Sequence, residues 1–149
     1  LMLAEAACYY KAQGKTLVDV LYALYEELGY YEESQTSLKL EGQEGAMRIK
    51  QILSDLRASD VTEIAGEAVV RFEDYKECII KEKDAVRELT GFTKSDVLKY
   101  YLADGSWIAI RPSGTEPKCK FYYCVKGTSL ADAHEKTLAY QKAMAEMTK

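Results

Sequence analysis

Proline is almost missing from this 149-residue chain: it has two, Pro112 and Pro117, and both fall in one short stretch. Histidine occurs once, as His134. It stands four residues from both Leu130 and Leu138 with no matched carboxylate or cysteine, so it reads as a helix-surface residue and not as a base or metal ligand. The four cysteines, Cys8, Cys78, Cys119 and Cys124, form no CxxC pair and have no histidine at ligand spacing. They read as reduced, mostly buried thiols, which points to a cytoplasmic protein without a metal site of its own. No apolar run approaches the roughly 20 residues that span a bilayer. No basic segment stands before the apolar start, so no signal peptide is expected, and no membrane partner. Positive charge is not in excess either. Lys and Arg number 20 against 24 Asp and Glu, a formal charge of −4. A nucleic-acid binder would show a broad basic face, so nucleic acid is not an expected partner. Trp107 and the tyrosines suggest packing rather than base stacking.

With 48% apolar and 30% charged residues, the composition is that of one ordinary globular domain with its own core. The twelve tyrosines fall mostly at alternating or helical spacing, as half-buried packing residues. Leu1–Tyr10 is nearly all apolar and helical in character, with Gly14 placed to end it. A helix apolar on most sides is normally buried in a larger protein, so a missing N-terminal neighbour is expected. Thr16-Leu17-Val18-Asp19 forms a variant capping box for a second helix, with Leu17, Leu21, Leu24 and Leu28 on one stripe and Gly29 at its end. The acidic segment Tyr30–Gln35 is a candidate linker. After it, Ser37–Glu41 reads as a short strand and Gly42–Gly45 as a break. Ile49, Ile52, Leu53 and Leu56 mark a helix of about three turns.

Glu63–Tyr75 reads as one strand, and Lys76–Ser95 as an irregular charged excursion. Asp104-Gly105, between strands Val97–Ala103 and Ser106–Arg111, predicts a two-residue hairpin with positive φ at both positions. Strand Cys119–Lys126 follows, then a capping box at Ser129–Asp132. That box opens a last helix with Tyr140, Ala143, Met144 and Met147 on one face. The order predicts an α+β fold, an antiparallel sheet with helices packed on one face. Residues 1–30 form two preceding helices, 31–36 a linker and 37–149 the domain proper.

One stretch carries chemistry. Arg111-Pro112-Ser113-Gly114-Thr115-Glu116-Pro117-Lys118-Cys119-Lys120 gathers three cations, two hydroxyls and a glycine against one acid, between two strands. The guanidinium offers a planar fork of donors. Hydroxyls and backbone N–H groups around Gly114 can wrap an oxyanion in a concave nest. The prolines stiffen the loop, so less entropy is lost on binding. The bland alternative is a Pro/Gly turn with surface charges, and for Lys118 and Lys120 an edge strand guarded against pairing.

The run Arg111–Pro117 resembles the phosphate-binding loop in the C-terminal domain of the α-D-phosphohexomutases, the phosphoglucomutase/phosphomannomutase family. Lys118–Tyr122, Val97–Tyr101 and Asp104–Trp107 are similar to its bacterial phosphoglucomutase branch. Leu3–Tyr10 with Gly14–Leu17 resembles the final helices of the preceding domain. The resemblance implies an intramolecular phosphotransferase that interconverts sugar 1-phosphate and 6-phosphate through a bisphosphate. The phosphoserine, the Mg²⁺-holding aspartate loop and the sugar-reading loop lie on other domains, and no run like them occurs here. It implies that this chain alone is not catalytic and holds no cofactor, with Mg²⁺ bound elsewhere in the full-length enzyme. It implies substrate-phosphate roles for Arg111, Ser113, Gly114 and Thr115. Lys120, then Lys118, would replace an Arg that some relatives carry on the next strand. Expected partners are the phosphosugar and the remaining domains of the polypeptide. Apolar helices at 1–28 could also pair two fragments. A stand-alone phosphate- or phosphosugar-binding module is the alternative reading.

Overall fold

Thr16 fixes the start of one helix and Gly14 the end of the one before it. In the computed structural model, which describes residues 1–83 and 85–149, the first helix is α1 (Met2–Ala12) and the second α2 (Leu17–Leu28). Gly14 at φ 74° lets the N–H groups of Gly14 and Lys15 reach back to the carbonyls of Lys11 and Tyr10, closing α1. The Thr16–Asp19 capping box forms in both directions. Neither helix buries a residue, and Leu3, Tyr9, Leu21, Leu24 and Leu28 are exposed.

Next come β1 (Tyr30–Lys39), α3 (Gly42–Ala58), β2 (Glu63–Ile64), β3 (Glu67–Asp74), β4 (Ile79–Glu82) and β5 (Ala85–Glu88). The chain finishes with β6 (Leu98–Leu102), β7 (Trp107–Pro112), β8 (Lys118–Gly127) and α4 (Leu130–Met147). The strands form one antiparallel sheet in the order β1-β8-β7-β6-β3-β4-β5, with β2 paired to β3 alone. The expected α+β architecture is what forms. Leu98, Tyr100, Ile108, Ile110, Phe121, Tyr123 and Val125 alternate onto one sheet face and meet Ile49, Ile52, Leu53 and Leu56 of α3 and Tyr140 and Met144 of α4 in a single core. Each such aliphatic side chain contributes about 1.5–3 kcal/mol by leaving water. This core belongs entirely to residues after β1 begins, so the sheet and its two helices close on themselves.

Several local expectations need correction. Tyr30–Gln35 is not a linker but the first half of β1, paired with β8 from Tyr30↔Gly127 to Lys39↔Lys118. The strand does end before Gly42–Gly45, at Lys39 and not Glu41, but Gly42–Gly45 is the first turn of α3, which is 17 residues long. Gly45 is needed there because a Cβ would lie 2.7 Å from the Leu40 Cβ. Glu63–Tyr75 is split by a two-residue turn with Ala65 at φ 51° and Gly66 at φ 88°. That is the primed turn expected at Asp104-Gly105, where only Gly105 has positive φ and three residues close the loop. Lys76–Ser95 contains the β4–β5 hairpin; Asp84, within it, lies outside the described residues. At α4, Ser129 accepts from the Asp132 N–H, but the Asp132 carboxylate turns back to Thr128 and not to Ser129. Met147 stays partly exposed, and Ala133 and Thr137 take the buried positions beside Tyr140 and Met144.

Candidate functional site

Strand β7 ends at Pro112 and β8 begins at Lys118, so the Arg111–Lys120 stretch is a strand-to-strand loop with its flanks in register, Arg111 opposite Lys120. Three backbone hydrogen bonds shape it. The Ser113 N–H donates to the Lys118 carbonyl at 2.7 Å, and the Lys118 N–H to the Glu116 carbonyl at 2.7 Å. The Pro117 carbonyl accepts from the Leu40 N–H at 2.9 Å, which ties the loop to the end of β1. The tip is left open. Thr115 N–H reaches only the Ser113 Oγ, at 3.5 Å, and the N–H groups of Gly114 and Glu116 have no acceptor among the described residues. These are donors held by a stiff frame and facing outward, the arrangement an oxyanion requires. Gly114 has no positive φ, and a Cβ there would meet nothing within 4 Å. Neither its backbone nor this chain's packing demands glycine, and the space is free for close approach by a ligand.

The cations sit on the sheet face away from α3 and α4. Cys119, Phe121 and Tyr123 point into the core, so Lys118, Lys120 and Tyr122 alternate outward with Arg111. A depression of about 270 Å³ on that face is bordered by Arg111, Ser113, Gly114, Thr115, Lys120 and Tyr122. Lys118 does not border it; it stands opposite Lys39, one step farther along. Arg111, Lys118 and Lys120 make no ion pair among the described residues. Ser37 of β1 stands directly opposite Lys120 on the same face, though it does not border the depression. Only strand register could have shown this placement, and a polar β1 hides its register.

The loop has a second side. Between it and α3 lies a cleft of about 620 Å³. Ile49 and Leu53 form its floor, with Lys50, Asp96 and Glu116 among its polar lining. Asp96 is held by Arg57, whose Nε also donates to the buried Asp74 carboxylate at 2.9 Å. Asp74 in turn accepts the Lys76 N–H at 2.9 Å.

The remaining reactive groups lie elsewhere or are quiet. Burial first, and the Asp96 charge second, push the Cys119 thiol up to about 12, so it is no nucleophile at neutral pH. His134 is exposed on α4, 3.1 Å from Glu32 at the far end of β1. No group of three or more His, Cys, Asp or Glu side chains fit to hold a metal ion occurs among the described residues. No described helix is long and apolar enough to cross a membrane.

Residues 39–139 match the family model for the phosphoglucomutase/phosphomannomutase C-terminal domain. Curated relatives include the phosphoglucomutases of Staphylococcus aureus strains N315 and Mu50, each 36% identical to this chain over 137 residues. Those residues are 91% of this chain but only 24% of either relative, so the chain spans about a quarter of their length.

Proposed function

The chain belongs to the phosphoglucomutase/phosphomannomutase family, as its C-terminal domain, and on that premise we propose that its Arg111–Lys120 loop grips the non-reacting phosphate of a phosphosugar. The supporting observation is that bare loop-tip donors stand beside two cations in direct cross-strand register, Arg111 and Lys120, neither of which has an ion-pair partner among the described residues. Arg111 supplies a bidentate fork, Lys120 a point charge, and Ser113, Thr115 and the Gly114–Glu116 N–H groups complete the cradle. Gly114 allows the phosphate oxygens to approach the backbone. Lys120 is the better candidate for the second cation, because Lys118 does not border the depression.

The reaction proposed for the full-length enzyme interconverts sugar 1-phosphate and 6-phosphate through a bisphosphate. One phosphosugar is then held in two opposite orientations, and whichever phosphate is not reacting sits in this cradle. The residues here position and stabilise charge; they make no bonds. Grip at a remote phosphate lowers the barrier at the reacting end when it is stronger in the transition state. The Mg²⁺ expected of the full-length enzyme has no fitting donor set among the described residues. It is assigned to another part of the polypeptide, as are the phosphoserine and the sugar reader, and the isolated chain is expected to be inactive. The unpaired cysteines are compatible with a reducing compartment, the cytoplasm in this proposal.

Residues 30–149 would move as a lid over the site. Because Tyr30–Gln35 is part of the sheet, the hinge falls at Gly29, which has φ 107°. The exposed apolar stripe on α1 and α2 would then pack on the preceding domain, with pairing of two isolated chains as the alternative fate. The test is Arg111→Ala in the full-length enzyme. It should depress phosphosugar turnover without changing thermal unfolding. A normal kcat/KM in that variant would remove Arg111 from its role.

A further inference from the structure

Four cations stand in two consecutive rows at the loop end of the open sheet face. Arg111 of β7 is opposite Lys120 of β8, and one row farther along Lys118 of β8 is opposite Lys39 of β1. Side chains directly opposite on antiparallel strands lie about 4.5–5.5 Å apart at Cβ, and like charges there are destabilising. The two rows are two residues apart along the strand, about 6.8 Å. None of the four cations makes an ion pair among the described residues.

The fold itself does not call for this charge. Lysine on an edge strand guards against pairing with another chain, and that accounts for Lys39, because β1 is an edge of the sheet. It does not account for Lys118 or Lys120, because β8 lies between β1 and β7. Packing falls to Leu38, Cys119 and Phe121 on the other face. The nearest carboxylate on the open face of β1 is Glu33, opposite Cys124 and six residues before Lys39. Glu116 lines the cleft on the other side of the loop and does not border the depression, and Glu41 stands at the N-cap of α3. Lys39 and Lys118 do not border the depression either. A phosphate held between Arg111 and Lys120 therefore leaves the second row unanswered.

We propose that Lys39 and Lys118 form a second anion subsite, and that this corner takes a compact bisphosphate. Its two phosphoryl groups are joined through about three carbons, which matches the row spacing. One phosphoryl group lies on Arg111 and Lys120, the other on Lys39 and Lys118, whose ammonium groups on flexible stems reach it as point charges. This second subsite rests on the phosphate-gripping role proposed for the loop. The bisphosphate of the proposed mutase reaction is a different ligand, because its other phosphate lies at the reacting end, on another domain. A compact bisphosphate holds the cradle by two charge-assisted grips where a phosphosugar has one, and so excludes the phosphosugar from it.

The experiment is a titration of the ¹⁵N-labelled 149-residue chain with propane-1,3-diol bisphosphate and, separately, with propyl phosphate, read residue by residue. Both ligands should shift the Gly114, Thr115 and Glu116 amides. Only the bisphosphate should also shift Lys39 and Lys118, and it should bind about tenfold more tightly, the effect of one added charge-assisted contact. Lys39→Gln and Lys118→Gln should each remove most of that advantage while leaving propyl phosphate affinity within about twofold of the parent. Because each relieves a like-charge repulsion, neither variant should unfold at lower denaturant than the parent. A Lys118→Gln chain that unfolds earlier would put Lys118 in the service of the fold and overturn the subsite. So would equal affinity for the two ligands, or an advantage undiminished in the double variant; in either case loop amides that still move leave the phosphate grip standing. If neither ligand moves the loop amides, the grip itself fails and the second subsite with it.

Discussion

Strand β7 has two ends, and the chain treats them in opposite ways. At its start, the Ala103–Gly105 turn is tied down by its own protein. The Asp104 carboxylate accepts the Ser106 N–H at 2.8 Å, the Tyr140 hydroxyl at 2.9 Å and the Lys136 ammonium at 3.2 Å. The Ala103 N–H reaches the Ala68 carbonyl, and Ser106 Oγ accepts the Lys126 N–H. At the other end, Ser113–Pro117 is closed only at its base, with tip donors and flanking cations turned outward. Buried polar groups that find internal partners stabilise a fold; solvent-facing donors contribute little to its stability. Asp-Gly and Ser-Gly look alike as turn dipeptides, and only the partners of each separate a turn tied into the fold from a loop whose tip donors have no acceptor among the described residues.

Substitutions at the two ends should therefore move different observables. The largest effect is expected for Arg111→Ala in the full-length enzyme, a fall in kcat/KM of about 100-fold or more with phosphosugar, since oxyanion-holding donors are worth that much. Its unfolding midpoint should match the parent; a variant that unfolds earlier would show that Arg111 also serves the fold. The mirror experiment is Asp104→Ala, which strands the Tyr140 hydroxyl and the Ser106 N–H. A loss of about 2 kcal/mol in denaturant unfolding is expected, with inorganic phosphate affinity unchanged. Weakened phosphate binding in that variant would erase the distinction between the two ends.

Within the loop the contrast narrows to two lysines. Lys120→Ala should weaken inorganic phosphate binding about tenfold, one charge-assisted contact, and Lys118→Ala less than about twofold. Equal losses would mean that the cradle extends along β8 to Lys118 and Lys39. A pH comparison sharpens the structural end. Burial works to raise the Asp104 pKa, but the hydrogen bonds from Ser106, Tyr140 and Lys136 together outweigh it, and the carboxyl titrates below its ordinary range. A depressed carboxylate pKa contributes stability that is present above the unfolded pKa and is lost as pH falls through the folded one. The stability gap between the parent chain and Asp104→Asn should be complete near neutrality and close below about pH 4. A gap that stays constant into acid would separate it from the Asp104 charge. The smallest effect is Gly114→Ala. It should leave stability unchanged or raise it by up to about 1 kcal/mol through the unfolded chain, while weakening phosphate binding.

What could be read from the sequence follows the same division. The core strands and α3 announce themselves because Leu98–Leu102, Trp107–Ile110 and Ile49–Leu56 carry apolar residues at their own period. Strand β1 does not, because its helix-facing positions are Glu32, Ser34 and Thr36. Those meet His134, Gln141 and the Tyr123 hydroxyl instead of an apolar wall. Its alternation is polar on both faces, and it reads as a linker. Strand β5 is exposed at every position on the sheet edge, so no period marks it. The loop's composition was legible, but its two recesses were not. The choice between Lys118 and Lys120 turns on cross-strand register with Arg111, and the rear cleft on Ile49, Lys50 and Asp96, which no local motif connects to the loop.

The most direct measurement is a titration of the ¹⁵N-labelled chain with inorganic phosphate, parent against Arg111→Ala. The parent should show saturable shifts centred on the Gly114, Thr115 and Glu116 amides, with the Asp104–Ser106 signals still. Arg111→Ala should lose those shifts while keeping its spectrum elsewhere. Phosphate that leaves the loop amides unmoved, or moves them equally without Arg111, would contradict the assignment of this loop as a phosphate grip.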